Sequence, residues 1–120
     1  MKYKIVGCLL FFPILASAAP LYHNPSEILA KAHQSKQVGR EIYTHFCASC
    51  HEPDPLIPLG APRKGNKQDW QARLKQRNLK AMLKTTDEGI NNMPPRGGCF
   101  ECTDDDLLAA IQYMLPHEKP

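Results

Sequence analysis

Residues 47–51 read Cys-Ala-Ser-Cys-His, two thiols three positions apart with an imidazole directly after the second. Three kinds of chemistry use thiols in such a pattern. At this spacing they can add across the two vinyl groups of one haem while the adjacent imidazole is carried to the iron, the arrangement of c-type haem attachment. A redox dithiol also uses C-x-x-C, but it has no required place for the histidine, and no alternating strand pattern precedes residue 47. Zinc is the third: Cys47, Cys50, Cys99 and Cys102 form two pairs of equal spacing, and tetrahedral zinc accepts four thiolates. The gap between the pairs is far longer than zinc sites ordinarily use. Haem c on Cys47 and Cys50, with His51 as an iron ligand, is the leading expectation.

Haem iron has a second axial position, and Met93 is the candidate for it. The stretch Asn92-Met93-Pro94-Pro95 lies outside any periodic apolar run. Proline after Met93 biases that residue away from helix, and two prolines in succession stiffen the chain, so a thioether there is presented without ordering a flexible loop. Met82 and Met114 fall on helical stripes and read as core. His23, His33, His45 and His117 leave a bis-histidine alternative open, although none sits in a comparably fixed loop.

The compartment decides how the thiols are used. Lys2 and Lys4 precede an apolar run from Ile5 to Leu15, and Ala16-Ser17-Ala18 follows, the layout of a secretory signal peptide cut before Ala19. That run is shorter than the ~20 apolar residues that span a bilayer. Ile5-Val6-Gly7-Cys8 formally resembles a lipoprotein cleavage box, but almost no apolar segment precedes Cys8, which reads as a small apolar residue discarded with the signal. The expected organisation is a signal peptide at 1–18, a leader with a short helix at 19–36, and the folded domain at 37–120. Loss of Lys2 and Lys4 lowers the formal charge from +3 to +1. A near-neutral chain gives no reason to expect nucleic acid. Export also exposes the four remaining cysteines to an oxidising compartment, where each pair must be bridged, metallated or otherwise used. About 100 residues make one small domain with a marginal core, which a bound cofactor would supplement.

Eleven prolines in 120 residues and the lack of strand alternation predict an all-α chain of short helices joined by irregular loops. Ser26 is the expected cap of a helix reaching about His33. From about Ser35, Val38, Ile42, Tyr43 and Phe46 recur at helical spacing, so an amphipathic helix delivers the chain into Cys47. Pro53, Pro55, Pro58 and Pro62 exclude a long helix after it. Residues 66–77 and 78–89 predict two short helices that bury Trp70, Leu74, Leu79, Met82 and Leu83, the second closed by Gly89. Thr103 with Asp106 three positions on predicts an N-cap, and Leu107, Leu108, Ile111, Met114 and Leu115 form one stripe before Pro116. The basic residues of 63–84 face only Asp69, whereas Glu101 and Asp104 to Asp106 cluster later. Such asymmetry fits either docking on a charged partner or a solvated helix face.

These motifs together resemble a family. The run GINNMPPRGGCFECTDDDLLAAIQYM, with Gly39-x-x-x-Tyr43-x-x-x-Cys47-x-x-Cys50-His51 and Gly60-Ala61-Pro62, is similar to the small class I cytochromes c of the cytochrome c5 type, roughly from Gln37 to Met114. The pattern M-P-P-x-G-G-C-x-x-C-[ST]-D is much rarer than C-x-x-C-H alone. The resemblance implies an all-α class I cytochrome c fold, short helices wrapped around one covalent haem c, in a periplasmic carrier of single electrons. It implies His51 and Met93 as axial ligands and Cys99–Cys102 as a disulfide. It further implies that the helix with Gly39 and Tyr43 crosses the terminal helix near Tyr113, and that the Pro62 carbonyl accepts the His51 ring N–H. Pro58 competes for that last role, because the loop after His51 is longer and richer in proline than the family pattern. Expected partners are periplasmic or membrane-bound redox proteins, with no small-molecule substrate and no catalysis, since ligands on both faces leave the iron no vacant site. Two other readings stand beside this one: a haem-bearing subunit of a periplasmic oxidoreductase, and a zinc-stabilised four-cysteine binding module.

Overall fold

A computed structural model describes residues 24–117. The expected signal peptide, Cys8 and His23 lie outside the described residues. Helix α1 spans Pro25–Gln34. It opens at Asn24 rather than at Ser26, because the Asn24 side chain accepts the Glu27 N–H and Pro25 fills the first helical position, where its missing N–H would be unused anyway. The helix buries Leu29 and Ala32, so this part of the leader contributes to the core.

Helix α2 (Val38–Ile42), a π-helical turn (Tyr43–Cys47) and α3 (Ala48–His51) follow end to end. The amphipathic helix expected before Cys47 is therefore present, and it continues through both thiols. Ile42 and Tyr43 are its most deeply buried side chains. At Gly39 it crosses the terminal helix so closely that a Cβ would lie 2.2 Å from the Ala109 carbonyl oxygen. Beyond the crossing, the Tyr43 and Tyr113 rings meet with centroids 5.2 Å apart. Lys64 Nζ lies over both rings and donates to the Tyr113 hydroxyl at 3.2 Å.

After an irregular stretch come α4 (Lys67–Gln76) and α5 (Leu79–Glu88), each opened by an asparagine whose side chain accepts a backbone N–H three residues on. Trp70 and Met82 are buried and Leu83 is partly so, but Leu74 and Leu79 are 44% and 36% exposed. Of the α4 side chains only Trp70 is buried, so apolar periodicity overcounts the core positions of a helix that lies on the surface. Gly89 ends α5 with a φ of +77°. A tight turn brings Ile90 and Met93 face to face, a 3₁₀ turn covers Pro95–Gly98, and α6 (Asp104–Met114) begins at Thr103. Thr103 and Asp106 form the expected capping box, each side chain bonded to the other's backbone N–H. Leu107, Ile111 and Met114 are buried, and Leu115 packs against their edge before Pro116. Among the described residues there is no β-strand, only the isolated Ile90–Met93 bridge, and no helix long and apolar enough to cross a membrane. The expected all-α architecture is the one observed.

Candidate functional site

These helices enclose a cavity of ≈ 420 Å³ with a mostly apolar wall to which Phe46, Ile57, Leu59, Trp70 and Ile111 contribute. Cys47, Cys50, His51 and Met93 line the same cavity. The unbroken passage from the π turn into α3 sets Cys47 and Cys50 about one helical turn apart, and both thiols are free. Burial, reinforced by the neighbouring Cys50, pushes the Cys47 thiol up to about 12. Disulfide exchange calls for the opposite shift, toward thiolate at neutral pH. Cys47 therefore lacks the electrostatic setting of a redox-active thiol.

His51 is buried, and its Nδ1–H donates to the Pro62 carbonyl oxygen at 2.8 Å. A carbonyl can only accept, so the proton belongs on Nδ1 and Nε2 keeps the available lone pair. Pro62, not Pro58, orients the ring. Burial lowers the pKa of the imidazole, the Pro62 bond partly opposes this and Arg73 lowers it further, which favours the neutral ring that a metal requires. The carbonyl's own segment is tied down in turn. The Lys64 N–H donates to the His51 carbonyl at 2.7 Å, and the Trp70 indole N–H donates to the Arg63 carbonyl at 2.9 Å. Asp69 accepts both the Arg63 N–H and its guanidinium, and the Arg63 bonds hold its carboxyl at about 2. Residues 62–64 are thereby locked between α3 and α4.

Met93 occupies the far end of the tight turn. Its N–H donates to the Ile90 carbonyl at 2.9 Å, and its carbonyl accepts the Ile90 N–H at 3.1 Å. Asn91 takes a left-handed φ of 53° to close that turn. A Cβ on Gly89 would lie 2.7 Å from the Met93 carbonyl oxygen, so only glycine lets α5 end this close to the loop. The Cys99 and Cys102 sulfurs lie 1.97 Å apart, buried between the loop and α6 and away from the cavity wall.

Sequence reasoning placed Met82 and Met114 in the core, where they are, but both also line the cavity. It missed Arg73 and Arg77 on the same wall. Arg73 carried a signal as spacing, since it falls at i+3 from Trp70 on one face of α4, whereas Arg77 is the extended residue that ends the helix. Of the other histidines, His33, His45 and His117 lie off the wall, and the His33 Nε2–H donates to the Asp106 carboxylate at 2.8 Å. Cys99 and Cys102 are bonded to each other away from the wall that Cys47 and Cys50 line, so the four cysteines do not gather as the four-thiolate zinc reading requires. An apolar cavity with two uncombined thiols, a neutral imidazole and a thioether on one wall fits a haem.

Fold and cavity together define a class, that of small helical proteins closed around one thiol-anchored haem. Residues 34–114 match the family described as cytochrome C oxidase, cbb3-type, subunit III. The chain is 40% identical over 75 residues to cytochrome c5 of Ectopseudomonas mendocina, covering 62% of this chain and 83% of that one. It is 35% identical over 77 residues to cytochrome c5 of Azotobacter vinelandii, covering 63% of this chain and 89% of that one. To the cbb3-type cytochrome c oxidase subunit CcoP of Rubrivivax gelatinosus it is 31% identical over 104 residues, 83% of this chain but 33% of that one. No solved structure matches the chain. The chain belongs to the class I monohaem cytochromes c of the cytochrome c5 type, electron-transfer proteins with one covalently attached haem c.

Proposed function

We propose that this cytochrome carries single electrons between periplasmic or membrane-bound redox proteins, through a haem attached to Cys47 and Cys50 and ligated by His51 and Met93. The observation that supports it most directly is the meeting of those four side chains on the wall of one apolar cavity. Haem c supplies the one-electron couple. The chain supplies the rest. The Pro62 carbonyl fixes the His51 tautomer and raises the basicity of Nε2, the soft Met93 thioether favours ferrous iron and so a higher potential, and the apolar wall excludes water. With both faces of the iron ligated there is no place for a substrate, so the protein transfers electrons without being an enzyme itself, and it binds no nucleic acid. Residues 1–18 serve as the signal peptide, and export makes Cys99–Cys102 a disulfide that pins the Met93 loop to α6.

The likeness to CcoP and to an oxidase-subunit family favours a second reading, in which the haem serves as a fixed electron-transfer subunit of an oxidoreductase. A partner that stays bound through purification from the native source would select it.

Protein exported from a host that matures c-type cytochromes should show the mass of the polypeptide from Ala19 plus one haem. A bare polypeptide mass would overturn attachment at Cys47 and Cys50. Met93→Ala should keep one haem added to its own polypeptide mass, lose the near-infrared sulfur-to-iron band of the ferric protein, and bind carbon monoxide in the ferrous state. A variant that kept the band and excluded carbon monoxide would overturn Met93 as ligand.

A further inference from the structure

The loop carrying Met93 has an unusual hydrogen-bond inventory. Pro94 and Pro95 have no N–H to give. The Met93 and Ile90 amides bond each other's carbonyls, and the Gly97 N–H bonds the Pro94 carbonyl, all within the loop. Among the described residues, no backbone hydrogen bond runs from residues 90–98 to α5 or α6. The Cys99–Cys102 bridge anchors only the far end of this segment, so residues 90–98 could lift from the cavity about that end unless a side chain replaced the missing ties.

One side chain does so. The Arg96 guanidinium donates from Nη1 to the Asp87 carboxylate near the end of α5. From Nη2 it donates to the Cys102 carbonyl at 2.7 Å and to the Asp104 carboxylate at 3.2 Å, at the start of α6. Every hydrogen bond that leaves residues 90–98 for α5 or α6 comes from this residue, again among the described residues. Its side chain is 20% exposed, well covered for an arginine, and its planar fork suits three acceptors at once. Its backbone adds a second, independent observation. Arg96 holds a φ of +57° beside Gly97 at +61°, in a conformation that glycine adopts freely and arginine does not. A strained arginine where glycine would be relaxed indicates that the side chain does something the backbone alone cannot.

We propose that Arg96 is a positioning residue for the sixth ligand: by bridging Asp87, the Cys102 carbonyl and Asp104, it keeps the Met93 loop closed over the haem cavity. The inference rests on Met93 being the ligand. Arg96 has no place in attachment, because it lies outside the cavity wall. Its removal raises the fraction of molecules with the loop lifted, and an added ligand then binds in proportion to that fraction.

The test uses mature ferric holoprotein, with imidazole as the exogenous ligand. Arg96→Gly relaxes the backbone while deleting the clamp, so a purely conformational role for position 96 predicts an unchanged or more closed loop. The clamp predicts the reverse: retained covalent haem and far-UV circular dichroism, a weakened near-infrared sulfur band, and imidazole binding about tenfold tighter than in the wild type. Arg96→Lys should recover part of the closure. Asp87→Asn with Asp104→Asn, which leaves the loop sequence intact, should reproduce part of the opening, and it carries the test if Arg96→Gly does not mature. On a Met93→Ala background, Arg96→Gly should leave imidazole affinity unchanged, since there is no ligand left to position. If Met93→Ala opens the site but Arg96→Gly and the double aspartate variant bind imidazole as the wild type does, the Arg96 assignment is wrong while Met93 stands. If Met93→Ala itself leaves the band and imidazole affinity unaltered, the ligand assignment fails first.

Discussion

On the His51 side of the cavity, the chain approaches as continuous helix, and the ring is held by a backbone carbonyl whose own segment is bonded to α3 and α4. On the Met93 side it approaches as a loop, closed by internal turns and tied outward through the Arg96 side chain. Many ties, from backbone and side chains together, on one side and a single outward-reaching side chain on the other imply different stabilities. Helix and carbonyl on the His51 side can separate only with the fold, whereas the Met93 loop can open while the helices stay in place. On the ligation proposed above, the His51 face is the permanent one and the Met93 face the adjustable one.

The broadest way to break this comparison is to remove the attachment on the permanent side. Cys47→Ala with Cys50→Ala should yield polypeptide without covalent haem, read by mass after acid-solvent extraction. The unfilled cavity of ≈ 420 Å³ is large for so small a domain. Without haem its apolar wall loses the burial on which the marginal core of so short a chain depends. The variant should therefore lose cooperative unfolding by circular dichroism. A compact, cooperatively folding apoprotein would show that the helices hold the site without the cofactor.

Two glycines separate the faces more finely. Gly39→Ala drives a Cβ against the Ala109 carbonyl where α2 crosses α6, and overpacking of this kind costs about 1–3 kcal/mol. It should lower stability in denaturant while the sulfur band persists. Gly89→Ala imposes a side chain at a φ of +77° and presses on the Met93 carbonyl, with a strain of about 1–3 kcal/mol. That variant should weaken the band at a temperature where the protein is still folded. Equal loss of the band in both would mean that the two faces are not independently held.

What was legible in the sequence was local. C-x-x-C-H, proline after Met93 and the Thr103 capping box each state their chemistry within five residues; the capping box is formed as expected, and Cys47, Cys50, His51 and Met93 line one cavity. Helix α1 opening at Asn24 was within reach of the same reasoning, since a proline at the first helical position is itself a start signal. The choice of Pro62 over Pro58 was not, because it depends on how a proline-rich loop folds back on His51. Nor was the Arg96 clamp, whose partners Asp87 and Asp104 stand nine and eight residues away on different helices. The exposure of Leu74 and Leu79 has a similar cause, for periodicity reports that a helix has an apolar face and not how much neighbouring structure covers it.

The smallest expected effect tests whether the start of α6 supports the adjustable face or only the fold. Asp106 accepts the Thr103 N–H at 2.9 Å and the His33 ring N–H at 2.8 Å. Burial alone would raise the Asp106 pKa, but the Thr103 N–H first, then His33 and the Thr103 side chain, outweigh it, and the net shift is downward. A carboxyl with a depressed folded-state pKa favours folding above its unfolded value, near 3.9, and that contribution is lost as pH falls through the folded value. Asp106→Asn should therefore reduce stability by about 1 kcal/mol at pH 7, the usual worth of a helix cap. The deficit relative to the wild type should shrink below about pH 4, where the wild type surrenders the same contribution. Denaturant unfolding of the ferric holoprotein at pH 7 and pH 3 measures this directly. The sulfur band at pH 7 should be unchanged, because Arg96 reaches Asp104 and the Cys102 carbonyl rather than Asp106. A band that weakened with Asp106→Asn would extend the support of the Met93 loop from one arginine to the whole first turn of α6.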